Sequence, residues 1–260
     1  MLAVVSVGVV AAVMTIAASV IYFDSLGDIA LHREISADTG ANHDIVITGR
    51  EVGVEAASHT ETLELVEESI TSIALSIVTG LTLAYGSPTL LVEETESDGN
   101  EIDASLRAVL VNSPKLQAKS ILTAGSWPSN AVSEDASGQL VIDVAVEETA
   151  ATEFKISVGE TIVVAPFWDD LNDSFSVRVS GTFARGQADP DYWRDLDGEF
   201  GLDDTDLNFL TLVTDSDVFV SKVAPYLPGM TVRYFWRFHV DSGRVKASGA
   251  KKLLLGFDEI

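Results

Sequence analysis

The sequence predicts an α+β fold carried behind an N-terminal transmembrane helix, and three observations point there. The opening stretch, Met1 to Phe23, holds no charged residue. One amphipathic helical stripe lies between strand-like runs in the first third of the chain. From Asn112 onward, alternating strand patterns are separated by Gly, Pro and Asp turns. With 260 residues and 47% hydrophobic content the chain can bury a sizeable core, and no later uncharged run approaches membrane length.

A helix rises 1.5 Å per residue, so about 20 apolar residues cross roughly 30 Å of hydrocarbon. "MLAVVSVGVVAAVMTIAASVIYF" meets that length, and Tyr22 and Phe23 suit the membrane–water boundary before Asp24. The alternatives are a soluble core helix and a cleaved signal peptide. The latter calls for a basic start and a shorter apolar region, and only its small-residue cleavage site has a counterpart, at Ala17-Ala18-Ser19. A retained span with the bulk of the chain outside the cell membrane is therefore expected. The formal net charge of −24 is compatible with that side but does not fix it, because orientation follows Lys and Arg counts.

After the span, "DSLGDIALHREI" carries Leu26, Ile29, Ala30 and Ile35 at mostly helical steps, which predicts a stalk over 24–35. "HDIVITGREVGV" reads as a strand on its β-branched Ile45, Val46, Ile47 and Val54. Ser58 stands three residues before Glu61, a capping-box spacing that predicts a helix start. Leu63, Val66, Ile70, Ile73, Ala74 and Ile77 then form its apolar stripe, with Gly80 as the expected stop. "LTLAYG" and "TLLVEE" supply strands, so one helix is expected to pack across a sheet. Further on, "LVIDVAV", "ETIVVAPF", "SFSVRVSGTF" and "VRYFWRFHV" read as strands, with a short helix near Glu147–Phe154.

The charge excludes nucleic acid as a partner, since so acidic a surface repels phosphate backbones. It fits a salty habitat without showing one. The absence of cysteine rules out disulfides and thiolate metal sites. In "DPDYWRDLDGEFGLDDTD" calcium is the obvious suspicion, but the spacing fails. With Gly198 at the invariant turn of an EF-hand loop, Asp195 and Asp197 fit positions three and five while Trp193 falls at position one. A solvated acidic loop, anchored by Tyr192 and Trp193, is the expectation. His32, His43, His59 and His239 form no pair at the i, i+4 spacing of a zinc helix. Neither a G-x-S-x-G elbow nor a G-x-x-x-x-G-K-[ST] loop is present, and "SVGE" at Ser157–Glu160 reads as a turn. No catalytic, cofactor-binding or metal residue is assigned.

Four stretches after the leading apolar segment carry a resemblance. "IYFDSLGDIALHREI", "GSWPS" (Gly125–Ser129), "VAVEETAATEFKISVGETIVV" (Val144–Val164) and "VSGTFARGQADPDYW" (Val179–Trp193) together resemble FtsX-like ABC transporter permeases with a MacB-type extracytoplasmic core domain. The resemblance implies a porter-like α+β domain with a β-rich inserted subdomain, and no catalytic residues. It also implies partners: a cytoplasmic ABC ATP-binding subunit, a second permease copy or homologue forming a dimer, and membrane lipid. The implied function couples ATP hydrolysis on that subunit to movement of the outer domain, for export or release of peptides, drugs or lipoproteins. The expected domains are a transmembrane helix at 1–23, the stalk at 24–35, and a first porter-like segment at 36–111. A β-rich subdomain at 112–215 and a return segment at 216–260 follow. "DSGRVKASGAKKLLLGFDEI" reads as the start of a further helix, so the chain is expected to be a fragment with more spans after Ile260. The rival expectation is an anchored extracytoplasmic binding module without transport.

Overall fold

In a computed structural model, the described residues are 25–35, 43–52, 54–93, 96–97, 100–101, 106–136, 138–168, 174–200, 209–227 and 229–247. They divide into two compact units. The first gathers Met1–Ile45, Glu64–Gly80 and Phe238–Ile260, and the second Val46–Leu63 with Leu81–Arg237.

The second unit contains a closed barrel of six strands. Its members are β3 (Leu90–Val92), β6 (Arg107–Asn112), β9 (Leu140–Glu147), β10 (Thr161–Pro166), β11 (Phe175–Arg185) and β12 (Phe209–Val213). Going round, β6 pairs with β12, β12 with β9, β9 with β11, β11 with β10, β10 with β3, and β3 again with β6. The β6–β12 and β9–β11 pairs are parallel and the rest antiparallel. Alternation along the strands fills the ring: Leu110, Leu212, Val146, Val177, Val164 and Val92 fall on one face, each at most 3% exposed. So narrow a barrel is a packed core. β2 (Val78–Gly86) joins β6, β1 (Ile45–Val52) and β13 (Thr231–Val240) extend the sheet beyond it, and β7 (Ser120–Gly125) and β8 (Val132–Glu134) branch from β11 and β9. β4 (Glu96–Ser97) and β5 (Asn100–Glu101) form a separate ribbon.

β11 carries the point of greatest crowding. Its register against β9 shifts between Val179 and Gly181, leaving Ser180 as an extra, bulged residue. The Ser180 hydroxyl bonds to the Val144 and Ser126 carbonyls, 3.1 Å each. A side chain at Gly181 would run into the Ser126 and Ala124 carbonyls, which is why glycine stands there.

The outer face of this barrel is covered by α5 (Pro190–Phe200), which buries Tyr192, Trp193, Leu196 and Phe200 against Val109, Val111, Ala145, Phe183 and Val213. The start of α5 is built from Asp189, whose Oδ1 accepts the Tyr192 N–H at 3.2 Å, and from Pro190 in the first turn. Further described helices of this unit are α3 (Leu116–Lys119), α4 (Glu148–Glu153), and α6 (Ser216–Val218) and α7 (Ala224–Tyr226), joined by the π-turn Phe219–Val223.

In the first unit, α1 spans 25–35. The Asp28 carboxylate accepts the Ala247 N–H at 2.7 Å, tying α1 to the segment after β13. Asp44 accepts from the Val240 N–H at 2.9 Å and sits 3.0 Å from Nδ1 of His239. α2 (Ala56–Ala74) runs from the second unit, to which its residues up to Leu63 belong, into the first; it begins two residues before Ser58, and there the capping differs from the expectation. Ser58 lies inside the first turn, and its hydroxyl reaches back to the Glu55 N–H (3.2 Å) and carbonyl (3.0 Å). Gly80 does not stop the helix; it lies within β2, where an added Cβ would stand 3.3 Å from the His239 ring.

These findings correct the expected fold class. A porter-like layer with a separate β-rich insertion is overturned by the closed barrel, because β3 and β6 from the first expected segment close the ring with β9–β12 from the second. Periodicity specified which face of each strand is buried, but not which strand it pairs with. The expected transmembrane helix at 1–23 lies outside the described residues. Among those described, no helix is long and apolar enough to cross a membrane. The longest, α2, carries Glu61, Glu64, Glu67 and Glu68.

Candidate functional site

A cleft of about 390 Å³ opens in the second unit, lined by Arg50, Pro88, Thr89, Phe167, Trp168, Gly229, Thr231 and Arg233. Its volume lies in the range of small-molecule sites. Four separate stretches of the chain build it. β1 supplies Arg50, and β13 supplies Thr231 and Arg233, two residues apart and so on one face of the strand. Their neighbour Tyr234 points the other way, into a buried aromatic cluster with His59, Tyr85 and Trp236. The Pro88–Thr89 lip between β2 and β3 is pinned by Ser87, whose hydroxyl donates to the Pro88 carbonyl at 2.7 Å and accepts the Leu110 N–H at 3.0 Å. Gly229 turns the chain into β13 at a φ of 76°, with open space where a Cβ would sit, so backbone conformation alone selects glycine.

Phe167 and Trp168 leave the end of β10 with their rings perpendicular, 5.5 Å between centroids. Phe167 is 60% exposed, a large apolar ring left in water at the mouth of the cleft. The Arg233 guanidinium lies 5.3 Å from the centre of the Phe200 ring, which holds its plane by cation–π attraction. Among the described lining residues there is no carboxylate, imidazole or nucleophilic thiol. The described lining consists of two guanidiniums, two threonine hydroxyls and two aromatic rings beside Pro88 and Gly229, an inventory that suits binding.

The residues singled out in the sequence lie elsewhere. Asp195, 2% exposed, faces Arg237 at 3.1 Å, and Asp197 faces Arg185 at 2.7 Å. These neighbouring carboxylates thus serve two different guanidiniums on two strands, and the expected acidic loop is helix over Pro190–Phe200. Arg185 also forks onto both oxygens of Glu147, at 2.8 and 3.0 Å, and lies 5.5 Å from the Trp193 ring centre. Burial alone would lower the Arg185 pKa, but the Asp197 and Glu147 carboxylates outweigh it and raise it. No group of three or more His, Asp or Glu among the described residues could hold a metal ion. Ser157–Glu160 is a turn, closed by the Glu160 N–H to the Ser157 carbonyl at 3.1 Å.

On the other face of β13, His59 is 5% exposed with Nδ1 2.9 Å from the Tyr234 hydroxyl, which donates to Glu51 at 3.2 Å. Burial lowers the His59 pKa, partly opposed by the Glu51 charge. Burial pushes the Tyr85 hydroxyl up to about 12, with its hydrogen bond to Ser216 opposing.

The cleft escaped the sequence reading because its residues come from four separate stretches, each of which looks like ordinary strand or turn. The available signal was scarcity: with 40 acidic and only 16 basic residues, cations beside exposed aromatics stand out. No family model matches the chain, and no curated protein matches it.

Proposed function

We propose that this chain is the N-terminal part of an ABC transporter permease. In this reading the apolar stretch 1–23 anchors it in the cell membrane and the folded bulk lies outside. It acts by movement and binding, without catalysing a reaction, and works with a cytoplasmic ABC ATP-binding subunit and a second permease copy or homologue. The sequence support is the four FtsX-like stretches in family order. The structural observation that carries the reading is the tie between Asp28 in α1 and Ala247 after β13. The segment entering the folded part from the apolar stretch and the segment leaving it are held side by side, as a domain set between two membrane helices requires.

The chain has no cysteine, so a single one placed at Glu34 in α1 reports stalk contacts without background. In membranes of the source cells, a bis-maleimide should join two copies through this position, with a yield that changes on adding ATP. Recovery of the chain in the soluble fraction would sink the reading. The cleft favours a second reading, an anchored binding module without transport, for which cross-linking would be indifferent to ATP.

A further inference from the structure

We infer that β7 is the edge at which a second copy of this chain adds to the sheet, its own β7 running antiparallel across a two-fold axis at Leu122. The inference stands on the barrel alone and goes beyond the transporter reading, which calls for a second copy without placing it on any strand, so either can fail without the other. β7 pairs with β11 alone among the described strands, and its Ile121 and Leu122 are 61% and 37% exposed. The Lys119 carbonyl accepts the Gly186 N–H at 2.9 Å, and Ile121 stands opposite Ala184 in the same register. Antiparallel strands alternate the direction of their backbone groups, so Lys119 and Ile121 turn theirs to β11 while Ser120 and Leu122 turn theirs outward. The Ser120 N–H already donates to the Gln117 carbonyl at the end of α3. Leu122 therefore presents a donor and an acceptor together, and two copies centred there satisfy each other, each Leu122 N–H donating to the other's carbonyl.

Charge selects the occupant. Edge strands invite pairing, and proteins guard them with charge or proline. β1 carries Arg50 and Glu51 and β8 carries Glu134, whereas β7 has neither guard and residues 120–133 hold no charged side chain. Copies of a chain with formal net charge −24 repel wherever carboxylates face each other, and this strand offers none. A basic partner would be drawn to the carboxylates and away from so neutral an edge.

The test exploits the absence of cysteine from the chain. Leu122→Cys in the full chain, held in a nonionic detergent and oxidised with copper phenanthroline, should give a disulfide-linked dimer. Opposed Cα atoms of a hydrogen-bonded antiparallel pair lie about 5.5 Å apart, within disulfide reach. Leu65→Cys on α2, 64% exposed, controls for random collision and should cross-link at least tenfold more slowly. Light scattering should find the parent dimeric. Ile121→Lys puts two like charges at diagonal positions of the paired strands and should weaken the dimer at least tenfold, at a side chain too exposed to threaten folding. Equal rates for the two cysteines, a parent that holds one copy whether bare or carrying a foreign chain, or an Ile121→Lys dimer within twofold of the parent would each overturn the assignment. Cross-linking through Glu34→Cys without cross-linking through Leu122→Cys would also overturn it and leave the transporter reading standing.

Discussion

His59 sets how the second unit responds to acid. Glu51 can only accept, so the Tyr234 hydroxyl donates to it and takes the Nδ1–H of His59, leaving Nε2 a buried acceptor with no hydrogen-bond partner among the described residues. Protonating Nε2 would place a cation in that aromatic pocket, and burial therefore depresses the pKa. The unfolded chain binds this proton first, near pH 6.5, so stability is complete above that pH and falls as pH drops toward the lower folded value. Chemical denaturation of the parent and His59→Phe at pH 7.5 and pH 5 should show a smaller acid loss in the variant. An equal loss in both would mean that His59 stays out of the acid transition. Tyr85 and Tyr234 flank the same imidazole.

α5 shows what one segment of sequence discloses and what it conceals. Its composition, rich in Asp and Gly, favours a turn reading, yet Tyr192, Trp193, Leu196 and Phe200 recur at three- and four-residue steps, and Asp189-Pro190 is a helix-start pair. The stripe was legible; the acidic residues around it masked it, because nothing local pairs Asp195 with Arg237, 42 positions on in β13, or marks Arg185, twelve positions before Asp197, as its partner. β9, β10, β11 and β13, by contrast, coincide with runs readable from their β-branched and alternating residues. The Phe175, Val177, Val179 alternation belongs to the barrel interior, though Ser176 between them is buried too. The cleft was hidden for the same reason as the barrel, since both depend on long-range pairing. Arg185 is where α5, β9 and β11 meet, bridging Glu147 and Asp197 over Trp193. Lysine keeps the charge but cannot fork, so Arg185→Lys should destabilise by about 1–3 kcal/mol. Urea denaturation measures this, and a change under about 0.5 kcal/mol, the range of an ordinary surface substitution, would deny the bridge that role.

Taken as a whole, the chain is dominated by its own repulsion, with 40 acidic against 16 basic residues. Like charges spread over a compact surface oppose folding until counter-ions screen them, and the screening distance shrinks from about 30 Å at 0.01 M salt to about 3 Å at 1 M. The melting temperature should therefore rise as potassium chloride increases over that range. A flat or falling profile would show that the ion pairs, which salt weakens, outweigh the repulsion.

The three pieces of the first unit also dictate an order of assembly during synthesis. Residues 81–237 of the second unit form one unbroken run, available to the ribosome-borne chain as soon as β13 begins to emerge. Asp28 must wait for Ala247, Asp44 for His239 and Val240, and the Ile77 carbonyl for the Asp241 N–H. Of the described helices α1 is made first, yet its bond to Ala247 forms only after β13 and the segment that follows it have been made.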